Sequence, residues 1–222
     1  MKPVDTIHQY IQHAILEHRI PPGTRLRELE LAEIFGVKRG QIRKVLARLT
    51  SAKLVEHIPN VGAQVACPSL KEGQDLFATR RILEQAVIRQ ICGNLTHAQI
   101  TELHEHLRLE SAAYVSGNAH AGVGLSVGFH RKLAGFADNS ILSEFLQEIL
   151  NRTPLVMMTL VGGQASNSCI NQDHANLVTA LESGDCQAAV DIMDRHLKQL
   201  QDMFSVKSEP TEPNLADIFK NS

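Results

Sequence analysis

Along the first fifty residues apolar positions recur every three or four places, and each run stops at residues that cannot continue a helix. Val4, Ile7, Ile11, Ala14, Ile15 and Leu16 share one helical face. Pro21-Pro22-Gly23 then ends the run, because two prolines remove amide donors and the glycine permits a sharp turn. The spacing predicts a first helix over residues 4–20, a second around Glu28 to Phe35 and a third from Arg39 to Ser51. Gly36 falls where the second helix must stop and the chain reverse, a place that favours a residue able to take positive φ. In the third helix Ile42, Val45, Leu46 and Leu49 share a face, which turns Arg39, Arg43 and, at the edge, Lys38 outward. The period then shortens: Leu54–Ile58 and Ala63–Ala66 flank Pro59-Asn60-Val61-Gly62 and read as two short strands about a turn. Helix, turn, helix and hairpin make the outline of a winged helix-turn-helix.

Beyond Pro68-Ser69 only helical patterns follow, as far as Phe204. They predict six helices, near residues 70–92, 97–116, 119–137, 141–160, 168–183 and 186–204. The breaks between them are Gly93-Asn94, Gly117-Asn118, Asp138-Asn139, Gly162-Gly163 and Ser183-Gly184-Asp185. Thr96-His97-Ala98-Gln99 has the form of a capping box, in which the Thr and Gln side chains satisfy free amides of the first turn. The expected fold is therefore mainly α: a winged helix-turn-helix over residues 1–66, an all-α bundle of about six helices over 70–204, and a tail, 205–222. The tail's Glu-Pro-Thr-Glu-Pro and low apolar content predict flexibility. An aromatic content of 4% without Trp agrees with packed helices rather than a β sandwich.

No apolar run approaches the roughly 20 residues of a membrane span, and Met1 precedes a polar segment without a signal core, so a cytoplasmic protein is expected. Cys67, Cys92, Cys169 and Cys186 are far apart without a C-x-x-C pair, which suggests reduced thiols. The net charge of −2 conceals a split: residues 1–66 hold 10 Lys/Arg against 6 Asp/Glu, and the rest hold 12 against 18. Between Lys38 and Lys53 there are six Lys/Arg and no acid. A major groove roughly 12 Å wide admits such a helix, and an arginine can make a bidentate contact to guanine. Lys38, Arg39, Gly40, Gln41, Arg43, Lys44 and Arg48, with Gly62 in the wing, are the candidate contacts to double-stranded DNA. A solvated charged helix face is the competing account of the charge alone.

The residues Pro22-Gly23, Leu26, Glu28, Leu31-Ala32, Gly36-Val37, Arg39, Arg43, Leu46, Arg48-Leu49, Leu54-Val55, Pro59-Asn60 and Gly62-Ala63 resemble the GntR family of bacterial transcription regulators. Where that family usually has Ser-Arg-Thr-Pro, this chain has Lys38-Arg39-Gly40-Gln41, losing the capping hydroxyl at the helix start. The second part, through Leu76-Phe77, Arg80, Leu83-Glu84, Phe129-His130-Arg131, Asn139, Asp173-His174, Leu177 and Met193 to His196-Leu197, is similar to the FCD helical ligand-binding domain of the FadR-type subfamily. That resemblance implies a divalent metal, Zn or Ni, held by His130, His174 and His196, with Ser126 at the position where an aspartate is expected. It also implies that Arg80 faces a carboxylate effector, the alternative being an ion pair with Glu84 one turn on. Gly122, Gly124 and Gly128 either make room for a ligand or bend their helix.

The implied function is a ligand-responsive regulator, a repressor of metabolic genes. It would bind a near-palindromic operator as a homodimer, with affinity set by a small organic acid. A metal-dependent hydrolase built on the three histidines is the alternative. It lacks a general base, since Asp173 would point elsewhere on its helix and no H-E-x-x-H is present, so no enzymatic activity is expected.

Overall fold

The computed structural model describes residues 3–16, 19–59, 61–117, 119–161, 167–205 and 214–219. The expected turn residue Asn60, the breaks at Asn118 and Gly162-Gly163, and the Glu-Pro-Thr-Glu-Pro stretch lie outside them. The chain divides into two compact units, Met1–Pro68 with Lys207–Ser222, and Ser69–Val206.

In the first unit, helix α1 (Val4–Leu16) buries Ile7, Ile11, Ala14 and Ile15 and packs on α3 (Arg39–Ser51), which buries Ile42, Val45, Leu46 and Leu49. Helix α2 (Glu28–Phe35) ends at Gly36, left-handed at φ +65, and the Val37 amide then bonds back to Ala32 at 3.0 Å. That reversal aims α3 away from α2, and an L side chain at Gly36 would be strained. Lys38 offers no capping acceptor, but the Gln41 side-chain oxygen accepts from the Lys38 amide at 3.2 Å, which restores half of a capping box. Strands β1 (Val55–Ile58) and β2 (Gly62–Val65) pair antiparallel from Val55 opposite Val65 to Ile58 opposite Gly62. The segment before α2 is tied to the same hairpin: the Leu26 amide donates to Ala63 at 2.8 Å.

The second unit consists of α4 (Leu70–Ile91), α5 (His97–Val115), α6 (Ala119–Phe136), α7 (Ser140–Leu160), α8 (Asn167–Ser183) and α9 (Cys186–Asp202). Ser69 with Glu72 and Thr96 with Gln99 form capping boxes at the starts of α4 and α5. Asn139 and Asp185 cap α7 and α9 through their side-chain oxygens. The core gathers around Phe77, Ile88, Phe129, Leu146, Leu150 and Leu197. Two of the α6 glycines serve packing: a Cβ on Gly122 would sit 2.3 Å from the Tyr114 ring, and one on Gly128 would sit 3.2 Å from His106, whereas one on Gly124 would meet nothing within 4 Å. They let α6 lie close to α5 rather than open a space for ligand.

One expectation is corrected. Cys92 and Cys186 are joined in a disulfide with Cα atoms 5.5 Å apart, because the end of α4 meets the start of α9 in an antiparallel pair; Cys67 is exposed and takes no part in that bond. Within the tail expected to be flexible, Leu215–Phe219 forms the short helix α10. Leu215 and Phe219 are buried, and the Phe219 ring lies 4.9 Å from that of Phe35 on α2. An apolar pair four residues apart suffices to seat one helical turn.

Candidate functional site

In the first unit, α3 meets the wing across a groove of about 810 Å³ that Arg25, Arg27, Glu28, Arg39, Arg43 and Gly62 help to line. Gly62 stands at the hairpin turn with φ +97. Arg39 and Arg43 project from successive turns of α3, and Lys44 and Gly40 are exposed beside them. Both arginines reach Glu28, the first residue of α2: Arg39 Nε donates at 2.5 Å, and Arg43 Nε and Nη2 each donate at 3.2 Å. Those contacts hold the Glu28 carboxyl below its usual range, Arg43 first and Arg39 second. Arg48 turns the other way and pairs with Asp5 of α1 at 2.5 Å. The Gln41 oxygen is occupied in capping α3, leaving its amide nitrogen as its donor.

In the second unit, three helices deliver one imidazole each: α6 His130, α8 His174 and α9 His196, all buried. One nitrogen from each ring lies within 4.8 Å of the others. His174 Nε2 and His196 Nε2 are 3.3 Å apart, and His130 Nε2 is buried without a partner among the described residues. The opposite nitrogen of each ring meets a carboxylate. His130 Nδ1 bonds Glu84 of α4, His174 Nδ1 bonds Glu110 of α5 at 3.0 Å, and His196 Nδ1 bonds Asp173 of α8 at 3.4 Å. A carboxylate at Nδ1 favours the tautomer that carries its proton there and leaves the Nε2 lone pair for the interior.

Burial keeps the rings neutral. His174 is pushed down to about 3 and His196 to about 4, in each case mainly by loss of water, with Arg80 adding repulsion. His130 is lowered for the same reasons. Glu110 moves the other way, up to about 7, because its own burial outweighs His106, His196 and the Ser126 hydrogen bond. Neutral imidazoles with converging lone pairs are the form that ligates a divalent ion, so the residues present fit such a group. Ser126 contributes no charge, but it faces Glu110 as a hydrogen-bond partner.

Arg80 is 1% exposed and forms the ion pair with Glu84 that the helix spacing allows. Glu84 thereby joins Arg80 to His130, while Arg80 Nη2 is left buried without a partner among the described residues. Asp173, expected to point away from any site, does avoid the shared face of the rings but supports His196 from behind. Glu110 was absent from the sequence-based set. Its signal is a carboxylate placed in the apolar stripe Ile100, Leu103, Leu107 and Tyr114 of α5. Beside Glu110 a groove of about 360 Å³, lined by His104, Arg108, Ser111 and Gln172, opens to the surface.

Comparison with known proteins agrees with both units. Residues 3–65 match the bacterial regulatory proteins of the gntR family, and residues 75–199 match the FCD domain. The HTH-type transcriptional repressor RspR of Escherichia coli is 22% identical over 196 residues, covering 88% of this chain and 86% of its own. The Nta operon transcriptional regulator of Aminobacter aminovorans is 30% identical over 139 residues, 62% of this chain and 65% of its own. Among solved structures, a GntR protein from Rhodococcus sp. RHA1 superposes with a TM-score of 0.81 at 21% identity, covering 90% of this chain and 95% of the other. The E. coli McbR/YncC structure does so at 0.74 and 20%, with the same coverage. At such identities these two likenesses establish the fold.

Proposed function

The chain belongs to the gntR family of bacterial regulatory proteins and carries an FCD domain, and from that premise we propose that it is a FadR-type repressor of metabolic genes in the cytoplasm. Its first 66 residues read a near-palindromic operator, and residues 70–204 bind a small organic acid and form a homodimer. At the family level it is a DNA-binding, ligand-responsive transcription regulator. Its relatives are regulators and not enzymes, so the hydrolase alternative is set aside.

The observation that carries the reading is the set of three histidines, each backed by a carboxylate, in a chain whose other unit exposes Arg39 and Arg43 beside a wing. His130, His174 and His196 would hold a Zn or Ni ion, which supplies a fixed positive charge for the carboxylate of the effector. Arg80 supports the same choice of ligand, since a buried guanidinium nitrogen without an acceptor costs free energy that an anion recovers. On the DNA side Lys38, Arg39, Gly40, Gln41, Arg43, Lys44, Arg48 and Gly62 form the contact surface, Arg48 being free to do so only on leaving Asp5. A two-fold dimer presents two such helices to half-sites related by the same symmetry.

Gel-shift titration against the intergenic duplex upstream of the gene tests the DNA half. Binding is expected to weaken steeply with salt, and salt-insensitive binding or none contradicts it. Metal analysis tests the other half: purified protein should carry a divalent ion that His174→Ala loses, and equal metal content in both rejects the site.

A further inference from the structure

We propose that Glu28 is the positioning residue of the reading helix, presenting Arg39 as the two-pronged donor that recognises a guanine and Arg43 as a single-donor contact beside it. The inference rests on the DNA-binding reading of the first unit. An exposed arginine on a helix samples many rotamers, and about 2 kcal/mol of rotamer entropy stands against fixing it on a base edge. Here one carboxylate restrains two of them before DNA arrives. Glu28 has a side chain only 25% exposed, whereas Arg39 and Arg43 are 56% and 65% exposed, so the acid forms the floor and the guanidinium groups face the groove.

The pattern of contacts assigns the roles. Arg39 spends only Nε on Glu28, at 2.5 Å, which leaves both terminal nitrogens as a parallel pair of donors for guanine O6 and N7. Arg43 spends Nε and Nη2, at 3.2 Å each, and keeps one terminal nitrogen. The two arginines hold the Glu28 carboxyl below its ordinary range, so it stays ionised wherever the protein binds DNA. Glu28 also removes one unit of positive charge from the face that meets the phosphates. It therefore raises base selectivity while lowering sequence-independent attraction, and these two effects separate when it is neutralised.

The test uses the full chain. Wild-type protein selects a preferred duplex from a pool with a randomised core, and dissociation constants are then measured for that duplex and a scrambled one. Glu28→Gln is expected to reduce the ratio of the two about tenfold, the scale of one bidentate base contact, while it binds the scrambled duplex as tightly as wild type or tighter, with a steeper salt dependence. In an Arg39→Ala/Arg43→Ala background the same substitution should leave the ratio unchanged, since both groups it positions are gone. An unchanged ratio in Glu28→Gln, equal tightening on both duplexes, or equal weakening on both overturns the assignment. The last of these is what mere loss of folding would give. If wild-type protein enriches no duplex, the DNA-binding reading itself fails, and this inference falls with it.

Discussion

At each histidine of the buried cluster the ring is held from behind by a carboxylate, and the protonation of that pair sets the acid tolerance of the second unit. In metal-free protein His174 and His196 titrate at about 3 and about 4 when folded, against an ordinary value of 6.5. The unfolded chain therefore gains protons first as pH falls. The stability these rings contribute is complete above 6.5 and is lost as pH falls through 4 and 3. Glu110 has the opposite sign: raised from 4.5 to about 7, it favours the folded state most below 4.5 and gives that up as pH rises through 7. The histidines outnumber it, with His130 lowered as well. After chelation the thermal midpoint is expected to fall between pH 7 and pH 5; a level or rising midpoint contradicts the neutral cluster. Residues of this kind were unevenly legible. His130, His174 and His196 could be named through a family resemblance, because spacing along separate helices says nothing about convergence. Glu84 could be named only as the partner of Arg80, and Glu110 was hidden, because a charge in an apolar stripe only shows its purpose once the facing helix is known.

Helix boundaries were readable wherever chemistry enforces them. Gly36 ends α2 at positive φ, Thr96 with Gln99 starts α5, and the strands flank the Gly62 turn. Pairing between helices was not readable, since it depends on which faces meet. Helices α4 and α9 run antiparallel, with Arg81 bonded to Asp194 at 2.8 Å and Gln201 to the Gln74 carbonyl at 3.3 Å. Cys92 and Cys186 close one end of that pair across 94 residues of sequence. A cross-link over so long a loop removes much of the freedom of the unfolded chain, and its loss typically costs about 2–4 kcal/mol. Cys92→Ser is accordingly expected to lower the urea midpoint of the oxidised protein by about that free energy and to match wild type in reductant. Equal midpoints without reductant, or four titratable thiols in the denatured, unreduced wild type, would refute the bond. Both members of the pair also carry site residues, Arg80 and Glu84 on α4 and His196 on α9.

For the whole molecule, the split of charge along the chain pointed to two modules, and the structure resolves two compact units. What composition concealed is that the first unit is built from both ends of the sequence. Within a tail rich in Pro, Glu and Ser, Leu215 and Phe219 are buried, and Phe219 lies beside Phe35. The reading unit is thus discontinuous, with the sensing unit inserted in the middle of it. Chains emerge from the ribosome N-terminus first, at about 5–20 residues per second. The ring that covers Phe35 is synthesised only after all six helices of the sensor. Helix α2, which lies before the arginine-bearing α3, therefore receives this packing partner only after the second unit has been synthesised, and a nascent chain can fold that unit before the first is complete.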